Sequence, residues 1–252
     1  MKKILISFMM MLAYEAQAQT CIPTPDCAGL GYTATSCSGA FLRCPFDTTK
    51  MFCASGGGGS SSGGGATPES GGCLVGMIYY SDGSCSQYRE TGKNAVGIVV
   101  RDNKLIMSAD LSTNIAWAAD RVDISGLTNY ADVAVVKGDY NGKANTATIV
   151  AHYGASASNN AAVLCYNYAP SGMSGTKNQW YLPAAGEFYD YVAGNYEVLS
   201  KAFSKIGINM SSNYWSSSAY NIYSAWRVSP YDGNMETSGK SGSRLVSCFL
   251  AL

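Results

Sequence analysis

The sequence predicts an α+β domain built on an antiparallel sheet with flanking helices, preceded by a small disulfide-rich module. Three observations support this prediction. Five cysteines fall between Cys21 and Cys53, and a Gly/Ser-rich segment covers residues 55–72. From Cys73 onward the chain shows strand patterns, then helical patterns, then strand patterns again. Such segregation of strands and helices along a chain is typical of an α+β domain.

The N-terminus has the features of a secretory signal peptide. Met1-Lys2-Lys3 is a short positive segment, Ile4 to Tyr14 is an apolar run, and Ala16-Gln17-Ala18 matches the small-x-small cleavage pattern. We therefore expect residues 1–18 to be removed and the mature chain to begin near Gln19.

The alternative at this end of the chain is a lipoprotein anchored at Cys21, but Gln19 and Thr20 are not the small residues expected before a lipidated cysteine. The apolar run is shorter than the roughly 20 residues that span a bilayer, and no later segment is long and apolar enough to do so. The expected location is extracellular or on the cell surface, with the periplasm as the alternative.

Residues 19–54 form the predicted cysteine-rich module. The segment has few aliphatic residues, so a hydrophobic core alone would not stabilise it and disulfides are the expected cross-links. A zinc site is the alternative, although the close Cys-x-x-Cys pairs typical of zinc ligands are absent. Residues 55–72 are predicted to be a flexible linker because they are almost entirely glycine and serine.

Residues 73–252 are the predicted globular domain. The clearest helix runs from about Tyr196 to Ile206, with Asn195 placed to cap its start and Gly207 to end it. Two further helices are expected, at Lys143–His152 and Asn159–Tyr168. A hairpin turn is expected at Asp82-Gly83, and a second turn at Asp102-Asn103. The predicted strands are Leu74–Tyr80, Val96–Val100, Leu105–Ser108, Tyr214–Ser218, Ala225–Ser229 and Leu245–Leu250.

The composition argues for a binding protein. Lysine plus arginine equals aspartate plus glutamate, so the basic surplus of a nucleic-acid binder is absent. Charged residues make up only 13% of the chain, whereas tyrosine occurs 18 times. Surfaces rich in Tyr, Ser, Asn and Gly are typical of binding loops, because tyrosine offers a large contact area at low entropic cost.

Catalytic and metal-binding motifs are weak. The single histidine, His152, has no nucleophile motif nearby. Glu187 and Asp190 would share a helix face, where acidic residues more commonly complement the helix dipole than catalyse. Asp232-Gly233-Asn234 would offer oxygen ligands to calcium, but the same triplet is a turn signal. We expect no cofactor, no metal and no enzymatic activity.

Four cysteines lie in the globular domain. A bond between Cys165 and Cys248 would tie the last predicted strand to the body of the fold. Cys73 and Cys85 flank the first hairpin, and they either bridge each other or reach back to the N-terminal module. Because the chain has nine cysteines in all, at least one is free or pairs with another chain.

The C-terminal half carries a recognisable pattern. It consists of Trp180-Tyr181-Leu182-Pro183 with Glu187, Tyr214-Trp215-Ser216-Ser217-Ser218, Ala225-Trp226, Gly233 and Arg244-Leu245-Val246. In this order the blocks resemble the C-terminal domain family of bacterial collagen-like adhesins, which is similar to the C-type-lectin and formylglycine-generating-enzyme folds. The resemblance covers about Cys73 to Leu252. It implies a C-type-lectin-like fold with a ligand-binding face near the final strands, and a structural ion pair between Glu187 and Arg244.

The tail also resembles the variable region of lectin-fold proteins diversified by retroelements. Serine, tyrosine and asparagine fill half of the positions from Ser212 to Ser243, around tryptophans. In those proteins the surface positions vary while the fold stays constant. The alternative is an ordinary polar loop region of a secreted protein.

The residues of the C-terminal half are expected to have two kinds of role. Structural roles are expected for Trp180, Glu187, Trp215, Trp226, Arg244, Cys165 and Cys248. Ligand contacts are expected from Tyr220, Asn221, Tyr223, Arg227, Tyr231, Asp232 and Asn234.

The sequence thus predicts an exported bacterial, adhesin-like protein whose ligand is a protein or a glycan on a surface. The alternatives are a pilus or surface-layer subunit and an enzyme related to formylglycine-generating enzymes. The sequence does not indicate the oligomeric state.

Overall fold

The structure of the chain, a computed structural model, describes residues 41–44, 47–53, 72–110, 113–210 and 213–252. The chain divides into two units, Met1–Gly71 and Gly72–Leu252, which are described separately. The predicted signal peptide lies outside the described residues, as does the predicted linker apart from Gly72.

In the first unit, strands β1 (Phe41–Cys44) and β2 (Asp47–Cys53) form an antiparallel pair. Phe41 lies opposite Cys53, and Arg43 lies opposite Met51. The sequence did not predict this strand pair. The disulfides predicted for this module involve side chains outside the described ones.

The second unit combines helices with two five-stranded sheets, which confirms the predicted α+β class. Its strands are β3 (Ile78–Tyr80), β4 (Cys85–Ser86), β5 (Ala95–Arg101), β6 (Leu105–Ser108), β7 (Asn114–Ala116), β8 (Tyr214–Ala219), β9 (Ser224–Val228), β10 (Met235–Gly239), β11 (Ser243–Leu245) and β12 (Phe249–Ala251). Its α-helices are α1 (Val133–Val136), α2 (Gly142–Tyr153), α3 (Ala161–Asn167), α4 (Ala185–Tyr191) and α5 (Tyr196–Lys205). Short 3-10 helices cover Ser174–Thr176 and Ala193–Asn195.

One sheet, here called the tail sheet, has the strand order β10-β9-β8-β11-β7. The other, the hairpin sheet, has the order β12-β6-β5-β3-β4. Among the described strands, all pairs are antiparallel except β8 with β11, which run parallel where Tyr214 meets Leu245. The predicted antiparallel sheet is therefore present as two sheets with one parallel contact.

The predicted last strand, Leu245–Leu250, is wrong as a single element. Its start belongs to β11 in the tail sheet, and its end belongs to β12 in the hairpin sheet. Between them, Val246 donates its backbone N–H to Thr113, and Cys248 and Ser108 are also hydrogen-bonded. The chain thus changes sheets in an apolar segment that reads as one strand.

Local turn signals were accurate in the hairpin sheet. Strands β5 and β6 are joined at Asp102-Asn103, where Asn103 adopts a φ of 52°. The strand predicted from Leu74 begins only at Ile78, because residues 75–76 form a turn in which Gly76 has a φ of 83°.

Helices α2, α3 and α5 match the predicted ones closely. The side chain of Asn160 caps α3 by accepting a hydrogen bond from the Val163 N–H. Asn195 precedes α5 as expected but does not cap it with its side chain. Instead, its Nδ2 donates to the Tyr191 carbonyl at 3.1 Å, so Asn195 links α5 to the end of α4.

Two apolar clusters form the core, and neighbouring residues of one strand contribute to different clusters. Tyr214 and Trp226 belong to the cluster around α4 and α5. Trp215 belongs to the cluster around Trp117 and Trp180. This division follows from the alternation of side chains along a strand. The tail sheet is therefore covered by apolar residues on both faces.

The predicted use of disulfides is supported in this unit. Cys73 bonds Cys85 across the first hairpin, and Cys165 bonds Cys248 over a separation of 83 residues. The second bond is buried, with exposed fractions of 0% and 2%. Among the described residues no helix is long and apolar enough to cross a membrane.

Candidate functional site

The residues predicted to contact ligand lie at both ends of β9. Tyr220, Asn221 and Tyr223 precede the strand, whereas Tyr231, Asp232 and Asn234 follow it. Five strand residues at about 3.3 Å each separate the two groups by about 16 Å. The predicted single binding face is therefore divided into two clusters.

The first cluster is mainly a structural turn. Tyr220 packs edge-on against Trp226, with ring centroids 5.5 Å apart. The Asn221 Oδ1 accepts backbone hydrogen bonds from Tyr223 at 2.8 Å and Ser224 at 2.9 Å. Only Tyr223 extends into solvent, with 53% of its surface exposed. Tyr220 and Asn221 thus shape the turn, and Tyr223 is its one exposed ring.

Arg227 is held by an ion pair within the tail sheet. It lies opposite Glu236 in the β9–β10 register and pairs with its carboxylate. The amide of Asn234 donates to the other Glu236 oxygen at 3.2 Å. The predicted contacts Arg227 and Asn234 therefore share Glu236 as their partner.

The second cluster borders a groove between α4 and the β9–β10 turn. The groove has a volume of about 310 Å³. We call it the tyrosine groove, and it is lined by Tyr189, Asp190, Ala193, Gly194, Tyr231, Asp232 and Gly233. Of the seven predicted contacts, only Tyr231 and Asp232 line it.

The β9–β10 turn fits closely against α4. Gly233 adopts a φ of 68°, and a Cβ atom at this position would lie 2.8 Å from Cε2 of Tyr189. The Asp232 Oδ1 accepts the Asn234 backbone N–H at 3.0 Å, which stabilises the turn. Asp232-Gly233-Asn234 is therefore a turn that packs against the ring of Tyr189.

Aromatic rings form two sides of the groove. Tyr231 is 72% exposed and packs edge-on against Tyr196, with ring centroids 5.3 Å apart. The ammonium group of Lys137 lies over the ring of Tyr189, 4.1 Å from the ring centroid. A ligand entering the groove would contact the exposed Tyr231 ring.

Two carboxylates provide the polar groups of the groove. Asp190 accepts a hydrogen bond from the Tyr140 hydroxyl, and this contact raises the pKa of Tyr140 to about 12. A hydrogen bond from the Ser229 side chain, followed by the Asn234 backbone N–H, holds the pKa of Asp232 below its ordinary value. No lysine, arginine or histidine lines the groove.

Sequence reasoning missed the role of Tyr189 and treated Asp190 only as a helix charge. The sequence offers one feature that the two sides share, the dipeptide Tyr-Asp, which occurs at 189–190 and at 231–232. The structure brings these two dipeptides to the same groove.

The buried carboxylate of Glu187 fixes the start of α4. It accepts the Ala184 backbone N–H at 2.8 Å and the Tyr181 hydroxyl at 3.2 Å. Burial raises the pKa of Glu187 to about 7.

The expected ion pair between Glu187 and Arg244 is wrong. The Arg244 guanidinium instead donates to the Ser243 carbonyl and to the Ser238 hydroxyl. The reason is placement: Glu187 is buried in the first turn of α4, whereas Arg244 lies on β11, where its nearest partners belong to the tail sheet.

Strand β8 connects α4 to the core through buried serines. Ser216, Ser217 and Ser218 are all 0% exposed. The Ser218 hydroxyl donates to Asp139 at 2.6 Å and accepts the Ala185 N–H at 2.9 Å. The variable-region resemblance implied polar residues at the surface, and that expectation is wrong for these three serines.

The tryptophans with expected structural roles are buried. Trp180, Trp215 and Trp226 are 1%, 0% and 5% exposed. Their indole N–H groups donate, respectively, to the Thr176 hydroxyl, the Ile115 carbonyl and the Tyr130 carbonyl.

The described residues contain no cluster of three His, Cys, Asp or Glu side chains placed to hold a metal ion. His152 lies exposed on α2, where its ring packs edge-on against Tyr153 at 4.6 Å.

No protein-family model matches the chain, and no curated protein matches it. Among solved structures, the fold is similar to the crystal structure of a fimbrial protein from Bacteroides ovatus ATCC 8483, with a TM-score of 0.55 and 19% sequence identity. The likeness covers 71% of this chain and 49% of the fimbrial protein, so the chain spans about half the length of that neighbour. The chain therefore shares its fold with a fimbrial protein.

Proposed function

We propose that the chain is an exported, adhesin-like protein of the bacterial surface, with a C-type-lectin-like domain that binds an extracellular ligand in the tyrosine groove. The observation that carries this proposal is the convergence of both Tyr-Asp dipeptides on a groove of about 310 Å³. The ligand belongs to a protein or a glycan on a surface.

The chemistry of the groove supports binding. Concave sites with aromatic walls and a few convergent polar groups are typical of ligand pockets, and this volume is at their small end. Exposed tyrosine supplies contact area with little entropy lost on binding. Tyr231 has these properties, and Gly233 lets the turn that carries it approach α4 closely.

The fold and the sequence support a surface location. The N-terminal pattern is that of a secretory signal peptide, and disulfides suit an oxidising compartment. The likeness to a fimbrial protein is consistent with a role at the cell surface.

The proposed function is non-enzymatic. The rival is an enzyme related to formylglycine-generating enzymes, which would need reactive cysteines in a cleft. Cys165 and Cys248 are joined in a buried disulfide, so this pair offers no accessible thiol.

The second candidate function is a pilus subunit, which the fimbrial neighbour favours. It requires self-association. Sedimentation of the purified chain over a hundredfold range of concentration distinguishes the two functions: concentration-dependent polymers support the subunit, and a monodisperse monomer supports the binding protein.

Retroelement diversification would act on the exposed tail positions, such as Tyr223, Tyr231 and Asn234. A near-copy template repeat and a reverse transcriptase beside the gene would support it, and the absence of both would refute it.

The test of the proposed site is a glycan and surface-protein array probed with wild type, Tyr231→Ala and Tyr223→Ala. The two tyrosines are both exposed but lie at opposite ends of β9. We expect Tyr231→Ala to lose at least tenfold in affinity for each array ligand, and Tyr223→Ala to match wild type. Unchanged binding by Tyr231→Ala, or loss only in Tyr223→Ala, would refute the groove as the site.

A further inference from the structure

The tyrosine groove has an unbalanced charge. Asp190 and Asp232 contribute two carboxylates to its lining, and no basic side chain lines it. The whole chain, by contrast, has a formal net charge of zero. The lining residues therefore carry a net negative charge on a neutral protein, with one cation, Lys137, beside the Tyr189 wall. Two carboxylates against one ammonium leave the groove electrostatically complementary to a further cation.

Both carboxylates keep the capacity to accept further hydrogen bonds. Asp190 accepts one from Tyr140, and Asp232 accepts one from the Ser229 side chain and one from the Asn234 backbone N–H. An ionised carboxylate offers about four lone-pair sites on its two oxygens. Each acid is thus held in place by its neighbours while still able to bind an N–H group from a ligand.

The aromatic walls suit the same kind of ligand. A cation is attracted to the face of a tyrosine ring within about 6 Å of the centroid. The Lys137 ammonium already lies 4.1 Å from the centroid of Tyr189, which is one of the walls. The other wall, Tyr231, is 72% exposed and free to receive a second cation.

The size of the groove limits the ligand. At about 310 Å³ the groove is at the small end of ligand pockets. It accommodates one side chain or one small head group.

From these observations, and resting on the proposed function, we propose that the tyrosine groove binds the ammonium or guanidinium group of a lysine or arginine side chain presented by a partner protein. The charged group would lie between Asp190 and Asp232, with its aliphatic stem against Tyr231.

The test uses the exported chain and two peptides, Ac-Gly-Gly-Lys-Gly-Gly-NH2 and its norleucine counterpart, which differ only in the ammonium group. Binding is followed by NMR chemical-shift changes at 50 mM and 500 mM salt. We expect the lysine peptide to bind at least fivefold more tightly than the norleucine peptide at low salt. The preference should shrink at high salt, because screening weakens exposed charge pairs.

Variants assign the preference to the groove. The double variant Asp190→Asn/Asp232→Asn should lose the preference for the lysine peptide over the norleucine peptide, because the amides keep the shape of the carboxylates but not their charge. The matched control is Asp82→Asn, an exposed carboxylate on the first hairpin, which should keep it. Equal binding of the two peptides, or a preference that survives in the double variant, would overturn the inference.

The result also separates this inference from the proposed function. One outcome is an array ligand whose binding is lost in Tyr231→Ala but is unchanged in the double variant and at high salt. The groove would then be a site for a neutral ligand. That outcome rejects the cationic ligand and keeps the binding site. Array binding that is unaffected by Tyr231→Ala rejects both.

Discussion

Strand β8 and the β9–β10 turn both belong to the polar, tyrosine-containing tail and have opposite environments. In β8 (Tyr214–Ala219) a tyrosine, a tryptophan and three serines are completely buried. In the turn, Tyr231, Asp232 and Asn234 are exposed. A composition rich in serine and tyrosine is therefore not by itself a sign of a binding surface.

The two regions depend on each other. Ser218 hydrogen-bonds both Asp139 and the start of α4, and α4 carries Tyr189 and Asp190 to the groove. The buried strand thus positions one wall of the groove, and the exposed turn supplies the other. Substitutions of the same residue type in the two regions should consequently have different effects.

The largest expected difference is between two tyrosines. Tyr214 is 0% exposed and stacks on Phe188 with ring centroids 5.5 Å apart. Tyr214→Ala should lower the free energy of unfolding by about 4 kcal/mol, as for other large aromatic side chains removed from a core. Tyr231→Ala should change it by less than about 0.5 kcal/mol. Urea unfolding followed by tryptophan fluorescence measures both, and similar losses would mean that Tyr231 is also structural.

The next largest difference is between two aspartates. Asp139 is 1% exposed and accepts hydrogen bonds from Ser218, Asn145 and the Asn141 N–H. Asp139→Ala should cost about 3 kcal/mol, because it leaves buried donors without an acceptor. Asp232→Ala, in the exposed turn, should cost less than about 1 kcal/mol. The same urea titration gives both values, and a small effect of Asp139→Ala would show that β8 is not held by this network.

The smallest expected effect is a pH dependence. Burial raises the pKa of Glu187 from its ordinary 4.5 to about 7, so between these values the folded state binds more protons than the unfolded state. Stability should therefore fall as the pH rises, by about 2 kcal/mol between pH 5 and pH 7.5. In Glu187→Gln the decrease should be absent, since the amide does not titrate. Thermal unfolding at the two pH values tests this, and a pH dependence unchanged in the variant would assign it to another group.

Local signals were sufficient for much of the fold. The helix predicted from Tyr196 has apolar residues at helical spacing, and it ends at Lys205, two residues before Gly207, which has a φ of 78°. The β5–β6 hairpin follows from two apolar runs around Asp102-Asn103. Each of these features depends on residues that are close in sequence, and the sequence displays them directly.

The division of the last strand depends on distant partners. Phe249 pairs with Met107, whereas Leu245 pairs with Asn114 and Tyr214. Which sheet each half joins is decided by residues more than 30 positions away, and the apolar run itself carries no sign of the break. The first unit's β1–β2 pair was not predicted for a different reason: its partners are close in sequence, but its short strands lie among cysteines and polar residues without a clear alternation of apolar side chains.

Two of the seven residues that line the tyrosine groove were predicted to contact ligand. The composition of the tail predicted Tyr231 and Asp232 as ligand contacts. It predicted Tyr220 and Asn221 on the same grounds, but these two residues form a turn beside Trp226. Composition identifies residue types able to bind, and burial then decides which of them are available.

The sequence by itself determined the α+β class, three of the five α-helices of the second unit, the β5–β6 hairpin and the polar, tyrosine-rich character of the tail, because these depend on local periodicity and composition. The tertiary structure alone decided that β8 is buried, that the predicted contacts separate along β9, and that Tyr189-Asp190 meets Tyr231-Asp232. The physical reason is that a site between elements about 40 residues apart forms only when the core packs. The close approach of Gly233 to the Tyr189 ring brings these two elements together.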